Sequence, residues 1–428
     1  MLSWGAGGGV QPEYAAQPEY EVSRSVLART VSPQAPSRTP AVAVRWVSVT
    51  DFRCYAQARL KLDGRPVVLT GENGAGKTNM LEALSFLAPG RGLRWSRLSD
   101  ITRIGALSQA WAVAAGLDAP HLSAEPLRVS TGLLPDAGQA AEKRAVRIDG
   151  VTQTSSAVLS KLLTFVWLTP DMDRLFADGA SGRRQFFDRL TLGFDAGHGA
   201  RLNAYERARQ ERSRLLREEM SGRHADSVWL DALEAAMAEH GVAIAASRCE
   251  ALQCLTRALE SAAGPFPRAI LALDGLLEGQ LFDMAAVDVE DRFRAVLASG
   301  RRRDREAGRA LEGPHRSDLL VWHGETMMPA GDCSTGQQKA LLIAIVLANA
   351  RLLAQAGATP VLLLDEVVAH LDARRRAALF DAIADLGVQA WMTGTDGALF
   401  DTLGARAQYF TVTGGAVLET GGPSCVEP

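Results

Sequence analysis

The sequence has few cysteines, and none stands at the spacing of a metal site. Its 428 residues contain no Cys-x-x-Cys pair and no histidine at metal-binding distance from a cysteine. The five cysteines are Cys54, Cys249, Cys254, Cys333 and Cys425. This scatter argues against a structural zinc site and is typical of a protein in a reducing compartment.

Long apolar runs and a strong net charge are also missing. No run is long enough to cross a bilayer, and the first residues lack the charged start and apolar core of a signal peptide. We therefore expect a soluble, cytoplasmic protein. The formal net charge is -3, so any nucleic-acid surface must be a local patch rather than a property of the whole chain.

The first 40 residues differ from the rest in composition. They are rich in Gly, Ala, Pro, Ser and Gln and show no sustained apolar period. We expect a disordered extension there, or a segment upstream of the native start, and assign it no function. From residue 41 onward, short apolar runs predict mostly strands up to about residue 168, and strand–helix alternation resumes after residue 318.

A glycine-rich segment follows the apolar run at residues 67–69. It reads Gly71-Glu72-Asn73-Gly74-Ala75-Gly76-Lys77-Thr78 and leads into an amphipathic segment. A strand, this spacing and a helix together predict a phosphate-binding loop rather than a chance match. The predicted nucleotide-binding residues are Gly71, Glu72, Asn73, Gly74, Ala75, Gly76, Lys77, Thr78 and Asn79.

Each part of this loop has an expected role. Backbone N–H groups and the start of the next helix would cradle phosphates. Lys77 would reach the β- and γ-phosphates as a catalytic cation, and the hydroxyl of Thr78 would bind Mg²⁺. The sequence therefore predicts a nucleoside triphosphatase that uses Mg²⁺.

Two carboxylates follow the apolar run at residues 361–364. A buried strand that ends in Asp365 and Glu366 would deliver both groups beside the phosphate loop. We expect Asp365 to hold Mg²⁺, directly or through water, and Glu366 to act as general base toward the attacking water. A buried strand that merely ends in two acids is the alternative.

The segment from Ser334 to Gln338 resembles the signature motif of ABC-type ATPases, Leu-Ser-x-Gly-Gln, with Cys333 in place of leucine. The resemblance implies that Ser334, Gly336 and Gln337 bind the nucleotide held by the phosphate loop of a second subunit. It also places Asp372 in the D-loop. A capped helix without any ligand is the alternative for Ser334.

Within that group, the chain from about residue 42 onward resembles the RecF family of DNA repair proteins, which are related to SMC heads. Further motifs carry this resemblance: Arg91-x-x-Arg94, Leu168-Thr169-Pro170-Asp171, Arg183-Arg184-x-Phe186-x-Asp188 and Gly313-Pro314-His315-Arg316. The switch histidine found in many ABC ATPases is absent, because Thr395 and Asp396 stand at its place.

The resemblance implies an α/β fold: an ABC-type P-loop ATPase head with a mixed sheet and flanking helices, and an inserted α-helical arm or lid. We expect the head to comprise residues 41–190 and 301–428, and the arm residues 191–300.

The implied function is recombinational repair. ATP would drive homodimerisation, and the dimer would bind duplex or gapped DNA and work with RecR and RecO to help load RecA. Hydrolysis would be slow and DNA-stimulated, and would release the clamp. A transporter ATPase subunit is the main alternative, and a phosphotransferase acting on a small substrate is the second.

Arginine clusters are the candidate DNA contacts. The preferred patch is Arg301, Arg302, Arg303, Arg305 and Arg309, with a solvated loop as the alternative. Arg91 and Arg94 are equally compatible with a phosphate contact and with plain solvation. The arginines between residues 201 and 217 alternate with glutamates, which favours a salt-bridged surface. His315 is either a ligand contact or a hydrogen-bonded structural residue.

Overall fold

Strands account for two large sheets and one two-stranded sheet. The computed structural model describes residues 42–421 except for 120–122, 124, 135–143, 221–225, 263 and 359. The predicted extension at residues 1–40 lies outside this part. The strands are β1 Ala43–Phe52, β2 Tyr55–Lys61, β3 Val67–Thr70, β4 Trp111–Asp118, β5 Leu127–Leu133, β6 Arg144–Ile148, β7 Val151–Thr152, β8 Thr164–Leu168, β9 Ala269–Asp274, β10 Asp318–His323, β11 Pro360–Leu364, β12 Ala390–Gly394, β13 Gln408–Thr413 and β14 Ala416–Thr420.

The α-helices flank these sheets or form a separate layer. They are α1 Lys77–Ser85, α2 Ala180–Thr191, α3 His198–Met220, α4 Ser227–Glu260, α5 Leu276–Gln280, α6 Ala286–Ala307, α7 Thr335–Gln355 and α8 Ala373–Leu386. Short 3-10 segments include Pro170–Arg174 and Val367–His370. Strands predominate in the first part of the head, and strands alternate with helices from β10 to β12, as the sequence predicted.

The central sheet has the strand order β14-β13-β3-β12-β11-β8. Every pair in it is parallel except β13 with β14. Both faces are buried, because Val67 and Leu69 point into one apolar core while Val68 points into another. This explains the uninterrupted apolar runs of β3 and β11.

A second, antiparallel sheet has the order β2-β1-β4-β5-β6-β7. It shares a core with α1 and with one face of the central sheet. The buried side chain of Gln389 ties the two sheets together, since its Oε1 accepts from Val44 N at 2.9 Å and its Nε2 donates to Val44 O at 3.1 Å. The two sheets with their flanking helices form the mixed head that was expected.

The helical segment has a core of its own, built by α3, α4, α6 and Leu277. Buried charges lie beside this core. Arg212 donates to Glu234 Oε1 at 2.8 Å, to Asp304 Oδ2 at 2.6 Å and to Leu297 O at 2.7 Å. Its side chain is fully buried, so one guanidinium joins three helices.

The helical segment also continues into the head. The last turns of α4 contribute Ala251, Leu255 and Leu259 to the core beneath the central sheet. The buried Arg248 of α4 donates to both carboxylate oxygens of Asp188 on α2, at 2.8 and 2.9 Å. Helix α6 runs across residue 300, where the sequence placed a domain boundary. The division into a head and an arm at residues 190 and 300 stays a prediction.

Helix α7 is the one helix of the described residues that is long and apolar enough to cross a membrane. Its apolar window is 78% buried inside the protein, and its side chains fill the core beneath the central sheet. Such burial is typical of the core helix of a globular head.

Candidate nucleotide site

The glycine-rich loop lies at the carboxyl end of β3, between β13 and β12. At two points both its backbone conformation and the space around it require glycine. Gly71 has φ 148°, and a Cβ there would lie 2.3 Å from Val412 O. Gly76 has φ 121°, and a Cβ there would lie 2.7 Å from Cys54 Sγ. Open α/β sheets bind ligands at this edge.

Lys77 lies at the first position of α1 and is 4% exposed. Its Nζ donates to Gly71 O at 2.8 Å and to Glu72 O at 2.9 Å. No carboxylate of the described residues pairs with it. A nearly buried ammonium held only by loop carbonyls is suited to bind an anion, because its charge is not neutralised.

Asp365 follows β11 directly and faces the loop. Its Oδ1 accepts from Thr78 Oγ1 at 3.0 Å and from Thr393 Oγ1 at 2.6 Å. Burial raises the pKa of this carboxyl, and the two hydroxyl donors offset only part of that effect. The structure thus brings together Thr78 and Asp365, which the sequence predicted as metal ligands. Thr393 is an additional member of the site.

This donor set fits a hard divalent cation. A threonine hydroxyl and a carboxylate supply the oxygen ligands that Mg²⁺ prefers. No group of three or more His, Cys, Asp or Glu side chains in the described part of the chain forms a metal site by itself. Mg²⁺ at Thr78 and Asp365 would therefore need further oxygens from water or phosphate, as is usual for this ion.

Glu366 has a left-handed backbone, with φ 52° and ψ 24°, and precedes the 3-10 turn Val367–His370. Its N–H donates to Thr393 Oγ1 at 2.9 Å. Its carbonyl accepts from Lys339 Nζ at 3.5 Å. Non-glycine residues seldom adopt this conformation, so the hydrogen bonds to its N–H and to its carbonyl hold the backbone of the predicted general base in place.

The signature segment begins α7. Ser334 is the N-cap, its Oγ accepts from Gln337 N at 3.4 Å, and Gln337 Oε1 accepts from Ser334 N at 3.1 Å. Cys333, at the place of the usual leucine, is buried in the core beneath the central sheet. No hydrogen bond among the described residues joins Ser334, Gly336 or Gln337 to the phosphate loop. Their nucleotide contacts stay a prediction.

Two other predicted nucleotide ligands have hydrogen bonds within the chain. Asp372 is the N-cap of α8 and accepts from Arg375 N at 2.8 Å. Asn79 Nδ2 donates to Cys54 Sγ at 3.2 Å, and its Oδ1 accepts from Arg94 Nη1 at 3.0 Å. Both roles stay predictions. Asp396, at the place of the switch histidine, caps the turn that follows β12.

The sequence analysis did not identify a buried carboxylate that lies beside the phosphate loop. Glu82 on α1 is fully buried and pairs with Arg53 at 2.6 Å and with Arg94 at 3.3 Å. Arg53 also donates to Ser96 Oγ at 2.6 Å. Arg94 is therefore tied to α1 rather than freely solvated. Arg91 is exposed.

The basic cluster near residue 301 differs from the predicted patch. Its first part lies within α6 instead of a loop, and three of the five arginines are ion-paired to acidic neighbours. These pairs are Arg301 with Asp231 and Glu234, Arg302 with Glu306, and Arg305 with Glu219. Arg303 and Arg309 are exposed and have no ion pair within the described residues.

His315 has a structural role. Its Nε2–H donates to Ala310 O at 3.0 Å, and its Nδ1 accepts from Tyr205 OH at 2.8 Å. Burial lowers the pKa of His315 to about 4. The ring is therefore neutral at pH 7 and joins α3 to the Gly-Pro-His-Arg segment. His370 is exposed beside the D-loop.

Known proteins resemble this chain along most of its length. The family described as RecF/RecN/SMC N terminal domain matches residues 43–401. The DNA replication and repair protein RecF of Rhizobium johnstonii is 50% identical over 381 residues, covering 88% of this chain and 99% of its own. RecF of Agrobacterium fabrum is 50% identical over 382 residues, covering 89% and 99%.

Solved structures share the fold. The recombination mediator protein RecF-ATPrS of the RecFOR pathway superposes with a TM-score of 0.74 at 20% identity, covering 89% of this chain and 98% of its own. An Smc head domain from Pyrococcus furiosus gives 0.51 at 16% identity, covering 89% and 96%. These matches confirm the predicted ABC-type head and do not favour the transporter alternative. By sequence, the chain belongs to the RecF family of DNA replication and repair proteins.

Proposed function

We propose that the chain binds ATP with Mg²⁺, dimerises head to tail around two nucleotides, and holds DNA at gaps or duplex junctions. It works in the cytoplasm with RecR and RecO to help load RecA, and slow, DNA-stimulated hydrolysis releases the clamp. The observation that supports the proposal is that Thr78 and Asp365 meet beside the phosphate loop, while no hydrogen bond of the described residues joins the signature segment to that loop. We infer two half-sites in one chain. One is the loop with Asp365, and the other is the signature segment.

The first half-site supplies the groups for phosphate binding and for hydrolysis. Lys77 and the loop N–H groups bind phosphate oxygens, and Thr78 with Asp365 would hold the metal ion. When bound, Mg²⁺ offsets phosphate charge and orients the nucleotide. Glu366, the next residue along the chain, would take the proton of the attacking water on its carboxylate.

The second half-site is open to a partner. Ser334 is exposed at the N-terminus of a 21-residue helix, where free N–H groups and the helix dipole favour an anion. A Cβ on Gly336 would meet no atom within 4 Å. No contact within the chain therefore requires glycine at this point, whereas the close approach of a partner's phosphate would.

Sedimentation velocity with and without ATP and Mg²⁺ tests the proposal directly. The Glu366→Gln variant should bind ATP without hydrolysing it and should accumulate as a dimer. Gapped duplex DNA added in a second series should sediment with the dimer and not with the monomer. Fluorescence anisotropy of labelled DNA then gives the affinity of each state.

Lys77→Arg is the matched control, because it keeps the positive charge but alters the phosphate contact. We expect this variant to fold, to stay monomeric in ATP and to bind gapped DNA weakly. ATP-driven dimers of Lys77→Arg, or a native chain that remains monomeric in ATP, would contradict the proposed clamp.

A further inference from the structure

Lys339 lies in the second turn of α7, two residues after Gln337. It is 4% exposed. Its Nζ lies 3.2 Å from Asp173 Oδ2 and 3.5 Å from the carbonyl oxygen of Glu366. One ammonium group thus joins the signature helix, the 3-10 turn Pro170–Arg174 and the peptide of the predicted general base.

The peptide of Glu366 depends on contacts from other elements. Its left-handed φ of 52° is unfavourable for a residue with a side chain. Thr393 accepts from its N–H and Lys339 donates to its carbonyl. The backbone conformation of Glu366, from which its side chain projects, is therefore set in part by where α7 places Lys339.

Hydrogen bonds tie the start of α7 together around Lys339. Gln338 is buried, and its Nε2 donates to Cys333 O at 2.9 Å and to Gly331 O at 3.2 Å. The capping box fixes Ser334 to the same turn. A small shift at Ser334 is passed along a hydrogen-bonded helix to Lys339, because close-packed elements shift rather than deform.

We propose that Lys339 is a positioning residue that couples the two ATP sites of the dimer. The inference rests on the proposed sandwich, in which Ser334 of one chain meets the nucleotide of its partner. Lys339 passes that contact to Glu366 of its own chain, which acts on its own nucleotide. Each bound ATP then promotes hydrolysis at the other site.

Such coupling can be measured as cooperativity of ATP hydrolysis. ATP hydrolysis by the native dimer should rise cooperatively with ATP concentration, with a Hill coefficient of about 2, the number of sites. In Lys339→Met, Glu366 loses the link to α7, so the Hill coefficient should fall to about 1 while kcat decreases. Lys339→Arg restores a donor at the same place and should recover the cooperativity.

The variant Asp173→Asn tests whether a loss of cooperativity comes from the Lys339 contact with Glu366 or from a general loss of stability. Asp173 pairs with the same ammonium, and its side chain is 33% exposed, so the variant weakens the ion pair but leaves the Lys339 contact with Glu366. We expect it to keep the native Hill coefficient. Sedimentation in ATP should show dimers for all three variants, and thermal unfolding reports any loss of stability.

Each outcome decides a different claim. Cooperative hydrolysis in Lys339→Met, or equal loss of cooperativity in Asp173→Asn and Lys339→Met, would overturn the coupling role while the clamp stands. Failure of Lys339→Met to dimerise in ATP would assign Lys339 to assembly and overturn the inference. A native chain that stays monomeric in ATP contradicts the clamp and the coupling together.

Discussion

Asp365 is a buried carboxylate whose side-chain hydrogen bonds come from two threonine hydroxyls. Because burial raises its pKa, the folded chain binds a proton there more tightly than the unfolded chain does. As the pH rises from the pKa of Asp365 in the unfolded chain to its higher pKa in the folded chain, ionisation of Asp365 therefore lowers the free energy of unfolding. Without a cation, this residue weakens the fold at pH 7.

Asp365→Asn should stabilise the nucleotide-free protein, because Asn removes the buried charge and keeps an oxygen for Thr78 and Thr393. We expect a rise in Tm of about 1–3 °C at pH 7 and a smaller one at pH 4. Differential scanning calorimetry at both pH values measures this, and ATP binding in Mg²⁺ should be lost.

Glu366→Gln is the control for that experiment, since it removes the neighbouring carboxylate, which is only half-buried. Its Tm at pH 7 should change less than that of Asp365→Asn. A lower Tm for Asp365→Asn at pH 7 would mean that the carboxylate is not destabilising.

Gly336 lies in the first turn of α7 with open space where a side chain would be. Gly336→Ala should raise the free energy of unfolding by about 0.5–1 kcal/mol, because alanine loses less backbone entropy in a helix. If the partner's phosphate approaches this backbone, the same methyl group should weaken ATP-driven dimerisation by about tenfold, measured by sedimentation.

Gly300→Ala is the matched change in α6, where a Cβ would meet its nearest atom at 3.6 Å. It should bring a similar gain in stability and leave dimerisation as in the native chain. Equal dimerisation in both variants would remove Gly336 from the partner site.

At the scale of helices, a buried arginine organises the helical segment. Arg212→Met leaves Asp304 without an ion-pair partner, whereas Glu234 still pairs with Arg301. We expect the free energy of unfolding to fall by about 3–5 kcal/mol, because an uncompensated charge remains buried. Thermal unfolding followed by circular dichroism at 222 nm measures this loss.

Arg214 lies on the same helix and pairs with Glu211 and Glu218 on the surface. Arg214→Met should change stability little, since exposed ion pairs contribute little. Similar losses in the two variants would show that burial of Arg212 does not govern the stability of this segment.

The elements that hold the site could be predicted from the sequence. The runs at residues 67–69 and 361–364 are apolar at every position, as expected for strands covered on both faces. The role of Thr393 could not be predicted, because it depends on β12 lying beside β11. The pairing of Arg53 with Glu82 is likewise a long-range contact without a local pattern.

At the scale of the molecule, charge pairing decides which arginines are available to DNA. Sequence proximity suggested one cluster, but the fold brings acidic residues of α3 and α4 next to α6, and these neutralise Arg301 and Arg305. No sequence pattern revealed that arrangement. Arg303 and Arg309 remain as the unpaired members of the cluster within the described residues.

If the dimer binds DNA through this face, the double variant Arg303→Gln/Arg309→Gln should bind gapped DNA more weakly. The slope of log affinity against log salt should fall by about 2, since each phosphate contact contributes about 0.9. Anisotropy titrations at several salt concentrations, with ATP present, give this slope.

Arg294→Gln/Arg302→Gln is the control for that slope. Both arginines lie on α6, are exposed and pair with a glutamate one turn away. Their loss should leave the salt slope nearly unchanged. A slope that is the same in both double variants would exclude this face of α6 from DNA binding.

The order of strands in the central sheet also bears on how the protein is made. Within the described part of the chain, strand β3 pairs with β12 and β13 alone, and these leave the ribosome about 320 residues later. At roughly 5–20 residues per second, β3 waits about 15–65 seconds for a neighbour. During that time Val67, Val68 and Leu69 have no sheet to join, so the nascent chain depends on chaperones or on its own antiparallel sheet to avoid aggregation. A chain that ends prematurely before residue 390 never builds the strand pairing that supports the phosphate loop.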